Sequence, residues 1–123
     1  MSSRSLVAIV DDDESVRESL PDLLRELGYS ARAFSSAEAF LATDTVHQTA
    51  CLILDIAMRG MTGPELQREL TRRQVDVPIV FITAHHDETL RPHLLAQGAV
   101  ECLFKPFSES ALVDALRAAM RAA

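Results

Sequence analysis

Four short apolar runs in this chain each stop at a side chain able to do chemistry, and that pattern narrows the possible folds more than any other feature. Residues 6–10 end in Asp11-Asp12-Asp13, residues 51–54 in Asp55, residues 79–82 in Thr83 and residues 100–104 in Lys105. Near-continuous apolar runs of strand length need cover on both faces, which parallel sheets receive from crossover helices. Strands in one parallel sheet end along the same edge. Acids, a hydroxyl and an amine far apart in sequence would then meet there.

Helical patterns fill the intervals. Val16, Leu20, Leu23, Leu24 and Leu27 recur at helical spacing until Gly28 stops them. Residues 29–34 read as a short second strand, and Ser36 can cap a brief helix carrying Ala37, Phe40 and Leu41. After residues 51–54 comes a loop with Gly60 and Gly63, then Pro64 in a first helical turn, with Leu66 and Leu70 facing inward. A fourth helix around Leu90, Leu94 and Leu95 ends at Gly98. The last starts near Ser108 and buries Leu112, Ala115, Leu116, Ala119 and Met120. Pro21 and Pro92 interrupt two helices, and read as a kink and a late start. The expectation is an α/β fold of five βα units, (βα)5 and flavodoxin-like. It is a doubly wound parallel sheet of strand order 2-1-3-4-5 forming a single domain over residues 1–123.

Composition removes several function classes. The net charge of -6, without a basic stripe, argues against direct nucleic-acid binding. No apolar stretch exceeds strand length, so no membrane span is expected. Met-Ser-Ser-Arg-Ser leads straight into the first strand, leaving no room for a secretory signal. A cytoplasmic protein is the expectation. Cys51 and Cys102 sit inside apolar runs and read as small buried hydrophobes rather than a disulfide or metal pair.

In such a sheet the first and third strands adjoin at the point where strand order reverses, so Asp11, Asp12 and Asp55 would share a pocket rimmed by Thr83 and Lys105. Three carboxylates a few ångströms apart repel by several kcal/mol unless they protonate or bind a cation. One lysine cannot neutralise them, whereas a hard divalent ion with oxygen ligands such as Mg²⁺ can. A carboxylate beside such an ion is a plausible nucleophile toward a phosphoryl group. Singly, an Asp at a strand end is an ordinary turn residue, Thr83 a cap and Lys105 a surface charge. Asp13 reads as the cap of the first helix. His85, His86 and His93 lack a metal-ligand pattern and read as surface or rim residues. His85, two residues beyond Thr83, is placed to influence water access to an acyl phosphate.

The segments Ile-Val-Asp11-Asp12-Asp13-Glu, Leu-Asp55-Ile-Ala-Met-Arg-Gly-Met-Thr-Gly63, Ile-Thr83-Ala and Lys105-Pro106 together resemble the receiver domain of bacterial two-component response regulators. Val16-Arg17-Glu-Ser-Leu20 and Ser36-Ala-Glu-Ala-Phe40-Leu41 are most similar to the FixJ-like subgroup. The resemblance implies that Asp55 accepts a phosphoryl group from a sensor histidine kinase. It also implies that Asp12 ligates Mg²⁺ directly, Asp11 mainly through water, and Ala57 through its backbone carbonyl. Thr83 would move to the phosphoryl group, Lys105 would pair with it, and the Lys105–Pro106 bond would be cis. Relatives dimerise through the helix 4–strand 5–helix 5 face and often carry a C-terminal helix-turn-helix DNA-binding domain, which implies transcription as the output. Such a switch turns over no external metabolite.

Three residues depart from the family pattern. Arg59 stands where most receivers have proline. Cys102 replaces the aromatic residue that swings inward in relatives, and Pro92 weakens the start of helix 4. Switching would then rely on rearranging residues 84–92. Two other readings stay open: a degenerate receiver acting only as an interaction module, and a phosphatase of the haloacid-dehalogenase type. The second suffers from Ala57 at the place of that family's second acid and from the lack of a cap domain.

Overall fold

The computed structural model describes residues 4–122, so Met1, Ser2 and Ser3 of the segment before the first strand lie outside the described residues. Strands β1 (Leu6–Val10), β2 (Ser30–Phe34), β3 (Thr49–Asp55), β4 (Ile79–Thr83) and β5 (Glu101–Phe104) form one sheet in the order β2-β1-β3-β4-β5. All four pairings are parallel. Helices α1 (Glu14–Glu26), α2 (Ala37–Leu41), α3 (Gly63–Arg72) and α4 (Leu90–Ala96) lie in the four crossovers, and α5 (Glu109–Ala122) follows the last strand. The flavodoxin-like topology expected from the apolar runs is present.

Alternation along each strand splits the core into two layers, because successive side chains point to opposite faces. Val7, Ile9, Ile53, Val80 and Ile82 pack against Leu20 and Leu24 of α1 and Leu112 and Leu116 of α5. Ala8, Val10, Leu52, Leu54 and Phe81 pack on the other face against Phe40 of α2, Leu66 and Leu70 of α3 and Leu94 of α4. Removing each large apolar side chain of this kind from water contributes about 1.5–3 kcal/mol, so the strand centres carry most of the driving force. Cys51 and Cys102 are free and buried within these layers.

The boundaries follow local chemistry. Asp13 caps α1 by accepting from the Ser15 N–H, and Gly28 follows its end at φ 100°. Pro21 lies within an unbroken α1. Ser36 caps α2 through the Ala39 N–H. Pro92 is the third residue of α4, in a first turn whose N–H groups have no intrahelical acceptor. A 3-10 segment, Asp44–Gln48, was not foreseen from the sequence. Met120 is only partly buried, unlike the other four inward residues of α5.

Candidate phosphoacceptor site

Strand register assembles the site. Val10 pairs with Leu54 and Asp55 with Ile82, so Asp11 and Asp55 leave neighbouring strand ends side by side. Thr83 pairs with Phe104, and the next residue, Lys105, donates its backbone N–H to the Thr83 carbonyl at 2.7 Å. Four residues separated by up to 94 positions thus share one sheet edge.

The carboxylates converge. One oxygen from each of Asp11, Asp12 and Asp55 lies within 4.8 Å of the others. Asp11 is fully buried, yet both its oxygens are engaged, one by the Asp13 N–H at 2.9 Å and the other by the Lys105 Nζ at 2.9 Å. The same amine stands 4.0 Å from Asp55 Oδ1. Lys105 is therefore inserted between two acids rather than confined to the far rim. Asp12 is exposed and accepts the Arg59 N–H at 3.4 Å.

Burial pushes the Asp55 carboxyl up to about 7, helped by the negative charge of Asp11 and opposed by Lys105. A buried acid with that displacement, facing two more acids and one amine, is a donor set with surplus negative charge. All-oxygen donors, one of them exposed, suit a hard divalent cation that keeps part of its hydration shell. The residues present therefore fit Mg²⁺. The only other route to relief is protonation.

The remaining predicted residues differ in their placement. Thr83 is buried, and its Oγ1 accepts the His85 N–H at 3.0 Å. Ala57 is exposed in the loop after β3. The Lys105–Pro106 bond is cis. His85 and Arg59 are exposed, whereas Cys102 is buried in the layer that faces α2, α3 and α4, with burial raising its thiol pKa. Among the described residues no histidine joins a potential metal cluster.

Several positioning contacts escaped sequence reasoning. A Cβ on Gly63 would collide with the backbone carbonyl of Asp55, so this glycine lets α3 begin directly beneath the site. Thr62 and Glu65 form a reciprocal capping box, a Thr-x-x-Glu signal that was readable in the sequence. Glu38 of α2 accepts the Met61 N–H at 3.0 Å and pins the loop after Asp55. His86 stacks on Phe104 with ring centroids 5.4 Å apart, and its Nε2 lies 3.2 Å from the Lys105 carbonyl oxygen. No sequence signal marks the last two contacts, which depend on tertiary placement.

A five-stranded doubly wound sheet with acids, a hydroxyl and an amine at its switch point defines a class, and comparison with known proteins gives the family. Residues 7–117 match the response regulator receiver domain, and the chain belongs to that family. It is 41% identical over 124 residues to response regulator protein TodT of Pseudomonas putida, covering all of this chain and 55% of TodT. It is 36% identical to transcriptional regulatory protein FixJ of Azorhizobium caulinodans, over 93% of this chain and 54% of FixJ. The crystal structure of FixJ-N superposes with a TM-score of 0.86 at 34% identity, covering 98% of this chain and 96% of the other. The chain spans about half the length of the curated relatives it matches. Its role is that of a receiver in two-component signalling.

Proposed function

We propose that Asp55 takes a phosphoryl group from the phosphohistidine of a sensor histidine kinase, and that the chain responds by rearranging around Thr83. The observation that carries this reading is the meeting of Asp11, Asp12 and Asp55 within 4.8 Å around a single amine. An Asp55 oxygen attacks phosphorus, and the bond to the donor nitrogen breaks with its electron pair leaving on the imidazole. Asp12, Asp55 and the Ala57 carbonyl would hold Mg²⁺, with Asp11 acting through water, and the bound ion would supply positive charge against the phosphoryl oxygens. Lys105, already poised between Asp11 and Asp55, turns its amine to a phosphoryl oxygen.

Thr83 completes the response. Its hydroxyl moves to donate to the phosphoryl group, and that motion strains the bond its Oγ1 accepts from the His85 N–H. The loop bearing His85 and His86 is thereby coupled to phosphorylation. With Cys102 too small to follow Thr83, the 84–92 segment carries the change, and His85 and Arg59 tune access to Asp55. The chain turns over no external metabolite. It works in the cytoplasm, in keeping with the lack, among the described residues, of any helix long and apolar enough to cross a membrane. Dimerisation through the α4–β5–α5 face and a transcriptional output through a separate helix-turn-helix DNA-binding domain extend the reading, supported by a relative named as a transcriptional regulatory protein.

Incubation with acetyl phosphate and Mg²⁺, read by intact mass, tests the proposal. Wild type gains one phosphoryl group, while Asp55→Asn or added EDTA prevents the gain. Labelling of Asp55→Asn to the wild-type extent would place the acceptor elsewhere.

A further inference from the structure

Lys105 is held through its main chain as well as its amine, and both of its backbone groups lead back to Thr83. Its N–H donates to the Thr83 carbonyl at 2.7 Å. Its carbonyl faces the His86 ring, whose Nε2 lies 3.2 Å away and therefore carries the hydrogen. Between Thr83 and His86, the His85 N–H donates to Thr83 Oγ1 at 3.0 Å. Hydrogen bonds and chain thus close a short ring, from Thr83 to Lys105, from Lys105 to His86, and back along residues 84–86. A displacement of Thr83 within that ring either moves Lys105 or breaks the His86 bond.

His86 grips β5 at a second point. Its ring lies over Phe104, with centroids 5.4 Å apart and planes 20° from parallel. β5 is an edge strand, and alternation puts Phe104 on the same face as Cys102. Cys102 is small and buried, so the loop finds its hold on the half-buried ring of Phe104. At the other end of β5, Arg91 holds Glu101 by two bonds of 2.7 and 3.0 Å. The segment before α4 is thus fastened to both ends of one strand. Stacked on Phe104 and bonded to the Lys105 carbonyl, the imidazole fixes the backbone on both sides of the Lys105 Cα. From there the amine reaches to 2.9 Å from Asp11 Oδ2 and 4.0 Å from Asp55 Oδ1.

We infer that His86 is a positioning residue, which sets the reach of the Lys105 amine and passes the displacement of Thr83 on to it. The inference rests on the phosphoacceptor reading and names a residue that regulates that site. In the unphosphorylated chain His86 holds Lys105 between the two acids. When Thr83 moves to the phosphoryl group, the pull travels through His85 and His86 to the Lys105 backbone as the amine turns to the same group. Thr83 and Lys105 then change position together rather than independently.

His86 is exposed, so replacing it tests the role without opening the core. Phosphoryl uptake from acetyl phosphate at saturating Mg²⁺, read by intact mass, should slow about fivefold in His86→Ala, the equivalent of one hydrogen bond. His86→Gln keeps an N–H donor and should recover part of the rate. The Asp13 amide resonance gives a second readout, because this N–H bonds Asp11 Oδ1 while Lys105 Nζ bonds Asp11 Oδ2. In metal-free protein it should shift in His86→Ala in the same direction as in Lys105→Ala, and return toward wild type in His86→Gln. A purely structural loss would slow uptake without displacing the amine, so an unmoved Asp13 amide overturns the positioning role, as does an unchanged rate. Beryllofluoride, standing in for the phosphoryl group on Asp55, should shift the His86 ring resonances in wild type and leave them in place in Thr83→Ala. Equal shifts in both proteins overturn the link to Thr83. If wild type takes up no phosphoryl group, the phosphoacceptor reading itself falls. Normal wild-type uptake with an unmoved Asp13 amide removes only the role of His86.

Discussion

Asp55 shows how a single residue can be costly to the fold and necessary to the site. Burial, reinforced by the charge of Asp11, lifts its carboxyl from 3.8 to about 7. Below pH 3.8 the group is protonated in both folded and unfolded chains and has no effect on stability. Between 3.8 and about 7 the folded state holds the extra proton, so stability from this group falls as pH rises and the full penalty is present above about 7. In EDTA, the urea midpoints of wild type and Asp55→Asn should therefore diverge between pH 5 and pH 8. The variant should gain about 2 kcal/mol relative to wild type across that interval. Carboxyls held below their usual range by hydrogen bonds, Glu69 at about 2 among them, change state at lower pH and leave this window clear. Parallel pH curves for the two proteins would show that Asp55 is ionised and satisfied without a metal.

At the scale of elements, the loop after β3 is held by three devices, and only one of them was legible. Thr62 accepts the Glu65 N–H at 3.3 Å while Glu65 accepts the Thr62 N–H at 3.0 Å, a pattern written in four consecutive residues. Thr62→Ala should lower stability by about 1 kcal/mol, measured as a shift in urea midpoint with unchanged slope. A shift of a few tenths or less would mean that water serves the same N–H groups equally well. The Glu38 bond to Met61 and the fit of Gly63 against Asp55 were not legible, because they join residues whose proximity exists only after the sheet has formed. The 3-10 segment Asp44–Gln48 was missed for a different reason. It holds one apolar residue, Val46, and no periodicity announces it. Conversely, α1, α3 and α5 were readable because each sets an apolar stripe against a strand layer.

For the molecule as a whole, strand order is the link between sequence and chemistry. Apolar runs ending in polar residues were enough to infer the parallel sheet, and the sheet was enough to bring Asp11, Asp12 and Asp55 together. What stayed hidden was the position of Lys105, because strand-end placement gives the edge a residue occupies but not how far a flexible amine reaches. That reach sets the charge balance: three acids against one amine inside a chain already at -6. The fold therefore stores repulsion at one edge, and any ion that relieves it stabilises the folded state alone by mass action. Mg²⁺ at one hundred times its dissociation constant should add about 2.7 kcal/mol, which for a domain of this size raises Tm by roughly 10 °C. Asp12→Asn removes the exposed acid that offers the cation its open approach while leaving the buried Asp11–Lys105 pair in place, so most of that rise should vanish without loss of metal-free stability. Calorimetry with Mg²⁺ against equal ionic strength of NaCl separates this from general screening, which acts through the net charge and would raise both proteins equally.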